Sequence, residues 1–278
     1  MRNESISATS HRIIGDSLPD VLRWLDRTPR SWRGNYAFEA SPSNSWDMNV
    51  DYSGALELCA TGWREGGRDM RVVFNSLPHA TGEAVETIYS PVKGHFSMSR
   101  YMTGNPNCFM LEITEEEEEQ APIISLVINN ASHCGIGASA IHNYGAAIAA
   151  AVEGLELTGA SVEVTVLNAT LTERRRVVVG WKVKTAGESL DMAALAFSIA
   201  HPAALRRITF AMLERTPKQF EHNSYRHPCD LVATDLPGYD ANTVILNIAR
   251  HADKECSTPA AAVKAVQQEI NKALQKLD

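Results

Sequence analysis

The segment from Pro122 to Val166 constrains the fold most. Ile123-Ile124-Ser125-Leu126-Val127-Ile128 is a short apolar run rich in β-branched residues and closed by Asn129-Asn130, the pattern of a strand covered on both faces. Ala131 to Gly137 is a turn of mostly small side chains. Ile141, Tyr144, Gly145, Ile148, Val152 and Leu155 then recur at helical spacing, with Gly159 as the stop. Ser161 to Val166 alternates as a strand does. A strand, a helix and a parallel strand form a crossover, and such units place ligands at the carboxyl end of the first strand. That end is Asn129 to Gly137. The expected fold class is α/β: a Rossmann-like mixed sheet flanked by helices, with an irregular α-rich or mixed amino-terminal part.

The rest of the chain is read around this unit. Residues 1 to about 16 read as a loose leader, followed by a short helix opened by Ser17-Leu18-Pro19-Asp20. Ser53 is the expected cap of a helix ending at Gly62, and Trp63 to Gly67 reads as a turn before a further helix over Arg68 to Asn75. Val85 to Tyr89 and Cys108 to Ile113 are short strand candidates. The five acidic residues Glu115 to Glu119 repel one another and favour a solvated linker. They divide the chain into residues 1–114, a linker at 115–121 and an α/β domain at 122–278. Past the crossover, Asn168 to Thr172 reads as a turn and Arg174 to Lys184 as an antiparallel strand. A helix through Leu195 and Ile199 follows, interrupted at His201-Pro202 and resumed to Leu213. Asp230 to Thr234 and Val244 to Ile248 are expected strands. Thr258-Pro259 opens a closing helix to Leu277.

The formal charge of −7 argues against bulk attraction to nucleic acid or anionic membrane. The five scattered cysteines form no CxxC pair, which points to reduced thiols in a cytoplasm, the host's if the protein is viral. The polar amino terminus lacks the apolar core of a signal peptide, and no apolar run is long enough to span a bilayer.

From Pro122 onward the order strand, helix, strand, antiparallel strand, helix, strand, helix resembles a von Willebrand factor A-type domain. That family holds a divalent cation through an Asp-x-Ser-x-Ser motif, with a Thr and a later Asp. Here the matching segment is Asn130-Ala131-Ser132-His133-Cys134, with Asn in place of the Asp and Cys in place of the last Ser. Thr234-Asp235 stands where the late Asp would come. The resemblance thus implies a degenerate site at Asn130, Ser132 and Asp235 for a cation such as Mg²⁺. Having lost its first carboxylate, that site is a poor home for a hard cation, and the leading expectation is that no cofactor is bound. The whole chain is also similar to uncharacterised proteins of bacterial viruses, through Gly62-Trp63-Arg64-Glu65-Gly66, Tyr144 to Ile148 and His201-Pro202-Ala203-Ala204-Leu205-Arg206-Arg207.

Three functions from different classes follow. The leading one is non-catalytic protein binding, as an assembly or accessory factor of a bacteriophage, with a homo-oligomer as an option. The second is single-stranded nucleic-acid binding. Arg174, Arg175, Arg176, Lys182 and Lys184 crowd one hairpin with Trp181, and Arg206 and Arg207 follow on the next helix. Basic residues beside an aromatic platform grip single strands without reading sequence. The third is a hydrolase using the loop of Asn129, Asn130, Ser132, His133 and Cys134. Ser132 or Cys134 would be the nucleophile and His133 or His142 the base. No Gly-x-Ser-x-Gly elbow, P-loop or tetrahedral zinc spacing accompanies it, the last including His222, His227, Cys229 and Asp230.

Overall fold

The computed structural model describes residues 1–30, 36–39, 41–42, 47–76, 87–90, 95–96, 102, 109–112, 122–131, 136–172, 175–220, 227–236, 238–247 and 251–274. The acidic run at 115–119 and the turn residues Ser132 to Gly135 lie outside them.

The crossover forms as expected and is longer than its pattern indicated. Strand β6 (Ile123–Asn129) leads into a 20-residue helix, α5 (Ala138–Leu157), and then into β7 (Ser161–Thr172). β6 and β7 pair in parallel from Ile123↔Ser161 to Asn129↔Leu167. β8 (Arg175–Lys184) returns antiparallel to β7, and β10 (Thr243–Leu246) adds in parallel on the other side of β6. The short β9 (His227–Pro228) pairs with the end of β7. Residues 168–172, expected as a turn, continue β7 because β8 pairs with them as far as Thr172↔Arg175. The hairpin demands a glycine where its strands meet most closely. A Cβ on Gly180 would lie 2.1 Å from the Val166 carbonyl oxygen.

The expected loose leader is the largest departure. Residues 2–15 form two further strands, β1 (Arg2–Ser7) and β2 (Ser10–Gly15), and β2 pairs in parallel with β8. The seven-stranded mixed sheet therefore runs β1-β2-β8-β7-β6-β10, with β9 beside β7. β2 joins because its side chains serve both faces: Ile13 enters one core cluster and Ile14 another. β1 is exposed at all six residues and carries no apolar pattern to announce it. A separate three-stranded sheet comprises β3 (Thr87–Ser90), β4 (His95–Phe96) and β5 (Phe109–Glu112), near the strands expected around 85–89 and 108–113.

The helices are set by local signals. α1 (Leu18–Arg27) is capped by the Ser17 hydroxyl, which accepts from the Asp20 amide at 3.3 Å. α3 (Tyr52–Thr61) follows the brief α2 (Tyr36–Glu39). Its cap is Asp51, not Ser53, with the Asp51 carboxylate accepting from Gly54 N at 2.7 Å. The expected turn at 63–67 is the start of α4 (Arg64–Asn75). Gly66 and Gly67 are tolerated there because Trp63 and the Ala193 backbone press against them. α6 (Met192–Ala200) is capped by Asp191, and the chain then winds through a wide turn at Ala204–Thr209 into α7 (Phe210–Leu213). α8 (Ala252–Glu255) and α9 (Pro259–Leu274) close the chain. No described helix is long and apolar enough to cross a membrane.

The described helices stack on one face of the sheet. Leu126, Ile128, Val162, Val164 and Val166 meet α5, α6 and α9, while Val177, Val179 and Trp181 meet α1, α6 and the Ala204–Leu213 turn. Trp181 pairs with Val166 across β7 and β8, so both clusters lie on one side. The opposite face carries Val127, Leu167, Ala169, Val178 and Ile14, covered by Leu231 and Leu236 of a return segment without regular strands. Residues 230–234, expected as a strand, enter a single turn of 3₁₀ helix at Ala233–Asp235.

Candidate functional site

Two regions answer to the sequence expectations: the carboxyl end of β6 and the β7–β8 hairpin. At the first, Asn129 is completely buried and every polar valence of its side chain is used. Its Nδ2 donates to the Cys229 carbonyl at 2.8 Å and to Asn247 Oδ1 at 2.9 Å. Its Oδ1 accepts from the amides of Ala131 and Ala169 at 3.2 and 3.4 Å. Asn247 also accepts from Leu231 N and donates to Leu231 O. This paired-asparagine clamp ties three sheet elements to the return segment. Asn130 donates from Nδ2 to the Ser198 carbonyl at 2.7 Å, while its buried Oδ1 has no hydrogen-bond partner. Ser132, His133 and Cys134 lie outside the described residues. The amide of Gly137, opening α5, donates to Asp253 Oδ1 at 3.0 Å, so this helix end already faces an internal carboxylate.

The late acidic residue of the expected cation site is committed elsewhere. Asp235 is 1% exposed and receives Arg176 Nε on Oδ1 at 2.6 Å and Arg176 Nη2 on Oδ2 at 2.5 Å, a two-point contact. Val232 N adds a third donor at 2.9 Å. The donors that remain do not fit a divalent cation: Asn130 turns its amide group to Ser198, and Asp235 is neutralised by a guanidinium. Among the described residues no group of three or more His, Cys, Asp and Glu could hold a metal. His227, Cys229 and Asp230 are described; His222 is not.

The basic hairpin is corrected by the same contact. Arg176 does not project toward a ligand but anchors the return segment, reaching Cys229 Sγ at 3.2 Å and the Asp230 carbonyl besides Asp235. Trp181 cannot serve as a stacking platform, because it is fully buried with its Nε1 donating to Ser198 Oγ at 2.9 Å. Lys184 is buried too; its Nζ donates to Glu156 Oε1 at 2.6 Å and to the Val162 carbonyl at 2.7 Å, joining the end of α5 to the start of β7. Lys182 pairs with Glu163 Oε2 at 2.7 Å. Arg207 is buried in an ion pair with Asp47, and Arg206 is half-buried. Arg175 is exposed, and Arg174 lies outside the described residues. β8 is covered on both faces along its middle, so Trp181 and Lys184 are interior and Arg176 turns to an internal partner, which a one-dimensional pattern of Arg, Lys and Trp cannot reveal.

Sequence reasoning missed two features. The first is an aromatic group in which Trp63 stands edge-on between His142, at 5.3 Å, and His201, at 4.8 Å. Burial pushes the His201 imidazole down to about 4, with Asp47 opposing and His142 adding to the effect. Burial likewise lowers His142. His142 packs on Trp63 rather than standing as a general base. His201 Nδ1 accepts from Ala203 N at 3.1 Å, which fixes the neutral imidazole. The unfolded chain takes up a proton near the ordinary histidine value, whereas the folded chain resists it down to about 4. Stability is therefore expected to fall as pH drops from about 6.5 toward 4, by about 3 kcal/mol at the lower end. Urea unfolding across that range measures it. His201→Asn, which keeps an acceptor for Ala203 N, should flatten the decline.

The second is a polar cavity of about 340 Å³ on the sheet face opposite the helices, at the margin of the covering return segment. Its floor carries Ser125, Glu163 and Lys182 in contact, the Ser125 hydroxyl and the Lys182 ammonium both donating to Glu163. Burial works against the Glu163 carboxylate. The two hydrogen bonds outweigh it and hold the group below the ordinary glutamate value. Alternation along β6, β7 and β8 was the available signal, since Ser125, Glu163 and Lys182 each stand between apolar neighbours in their strands.

The fold and its sites define an α/β protein with a seven-stranded mixed sheet, helices on one face and a polar cavity on the other. The chain belongs to the family described as a domain of unknown function (DUF7192), which matches residues 7–273. Neither a curated protein nor a solved structure matches it.

Proposed function

We propose that this chain is a non-catalytic binding protein, an accessory or assembly factor that takes a protein partner along the free edge of β1. One observation carries the reading. Among the described residues β1 pairs with β2 alone, is exposed at all six positions and contains no Pro, though it carries Arg2 and Glu4 and a register shift between Ser5 and Ser7. An extended segment of a partner would complete the ladder, with backbone hydrogen bonds supplying affinity. The internal pairings of Asp235, Arg176, Lys182 and Lys184 support binding over catalysis or metal chemistry. The run strand, helix, strand, antiparallel strand from Ile123 to Lys184 is part of the order on which the von Willebrand factor A-type resemblance rests, and we carry that resemblance forward as a proposal without its cation. We extend the proposal to a bacteriophage setting, which makes an infected bacterial cytoplasm the place to look.

The test is affinity capture from that cell with the full chain and with an Asn3→Lys, Ile6→Lys double variant. Lysines on an edge disfavour strand addition while leaving the β1–β2 pairing in place. The expected result is a protein partner retained by the wild type and lost by the variant. Retention by both contradicts the edge. Capture of nucleic acid that is lost steeply with salt and abolished by Arg175→Ala with Lys182→Ala favours the single-strand reading instead.

A further inference from the structure

Among the described residues the sheet ends in two unpaired edges, β1 and β10, and the alternation of ladder hydrogen bonds determines what each edge offers. Ser125 N donates to Asn242 O at 3.0 Å and Ser125 stands opposite Thr243, so Thr243 and Ile245 turn their backbone groups away from β6. Thr243 N donates within its own turn, to Asp240 O at 3.2 Å. The Thr243 carbonyl and both backbone groups of Ile245 therefore lie at the edge. A cavity of about 380 Å³ follows this edge, walled by Tyr239, Thr243 and Ile245 and by Glu269, Lys272 and Ala273 of α9. At the other margin Arg176, opposite Ser10, donates from N to Thr9 O at 2.7 Å. His11 and Ile13 thus face β8, while Arg12 and Ile14 face β1. Arg2 and Glu4 bond to Ile14 and Arg12, and Asn3 and Ser5 turn their backbone groups outward.

Followed through the ladders, β1 and β10 run in the same direction at opposite ends of the sheet. A second copy can therefore lay its β1 along β10 of the first and continue the sheet in parallel. The outward groups mesh with Arg2 opposite Thr243 and Glu4 opposite Ile245. In that register Asn3 N donates to Thr243 O, Ile245 N to Asn3 O, and Ser5 N to Ile245 O. We propose that the chain assembles head to tail through this contact, the partner of β1 being β10 of another copy. Charge selects the register. Arg2 is exposed and comes beside Thr243, whose hydroxyl donates to Asp240 Oδ1 at 2.8 Å. A shift of two residues sets Glu4 there instead, against an aspartate. Asn3 and Ser5, on the helix-covered face, are small enough to pass beside α9. Pairing of two β1 strands gains less, because it sets Arg2 against a Glu4 that Arg12 already holds at 2.7 and 2.8 Å. The head-to-tail contact repeats without closing, and the twist of the sheet turns each copy against the last. This assembly rests on the β1 edge of the proposed function and names the partner there.

Sedimentation equilibrium of the full chain tests it. Two short strands make a small interface, so a dissociation constant of about 0.1 mM is expected, with the mass rising past the dimer as concentration increases. The Asn3→Lys, Ile6→Lys variant blocks β1, and Ile245→Pro removes the outward N–H of β10 while sparing its bonds to β6. Each alone should stay monomeric. An equal mixture should give a one-to-one dimer and nothing larger, since one variant supplies only β10 and the other only β1. Two milder variants decide the matter if Ile245→Pro does not fold. Arg2→Glu, at an exposed position, and Asp240→Asn, which keeps the acceptor its turn needs, should melt like the wild type. They should weaken association about tenfold and about threefold. A monomer at every concentration overturns the proposal. So does a folded Ile245→Pro chain that associates like the wild type, or an Asp240→Asn chain that does, since either result puts the contact away from β10. A foreign protein captured at β1 by a chain that does not self-associate overturns this assembly and leaves the binding edge standing. Capture unaffected by Asn3→Lys, Ile6→Lys removes both.

Discussion

Asp47→Ala is expected to lower the free energy of unfolding by about 3–5 kcal/mol. Asp47 and Arg207 are both fully buried, and an Arg207 Nη2 donates to Asp47 Oδ2 while Nη1 donates to the Ala37 carbonyl at 3.1 Å. The pair joins the Ala204–Thr209 turn to the residues just ahead of α3. Removing the carboxylate takes from the buried guanidinium the counter-charge that Asp47 supplies. The desolvation cost of that ion then falls on the folded state alone, and it exceeds what the pair contributes when intact. Urea unfolding checks the size of the loss. Asp47→Ala combined with Arg207→Met should recover most of it, because an apolar side chain of similar length has no charge to desolvate. A loss under about 1 kcal/mol for Asp47→Ala would place the pair in the range of solvent-screened surface ion pairs.

Trp181→Ala is expected to cost about 3–5 kcal/mol, the range for emptying a large aromatic site in a packed core. Trp181 lies on the helix-covered face of β8, among Val179, Phe197 and Ile208. Its Nε1 proton goes to Ser198 Oγ, which in turn donates to the Ala194 carbonyl at 2.7 Å, so the indole is held at both its apolar and polar ends. Trp181→Phe keeps most of the volume but loses the hydrogen bond and part of the ring, and should cost about 1–2 kcal/mol. A stacking platform would behave in the opposite way, since an exposed ring can be removed with little effect on stability. Denaturant midpoints of the two variants distinguish these cases.

The crossover was legible because both of its signals are strong. The apolar run of β6 and the helical repeat of α5 each commit a segment to one structure, and together they determine the topology between them. β1 and β2 were not legible as strands. β1 buries nothing, and β2 divides two isoleucines between opposite faces, so neither period stands out. The candidate sites failed for a related reason. Arg176 and Asp235 are 59 residues apart in the chain, and each alone reads as an available charge, one for nucleic acid and one for a cation. The fold makes them partners. Arg207 and Lys184 show the same limit, because a charged side chain is buried only through contacts made by distant segments. The cavity floor at Ser125, Glu163 and Lys182 was written in the alternation of three strands, but only their registered pairing brings the three residues together.

The central claim is that a partner adds along β1. Amide hydrogen exchange of the full chain, with and without the captured partner, tests it most directly. Among the described residues the outward-facing amides of residues 2–7 have no strand on their free side; they should exchange quickly in the free protein, then gain protection in the complex. Protection that appears instead at residues 129–137 or along Arg175–Lys184, with β1 unchanged, would contradict the account and return the binding site to the crossover loop or to the hairpin.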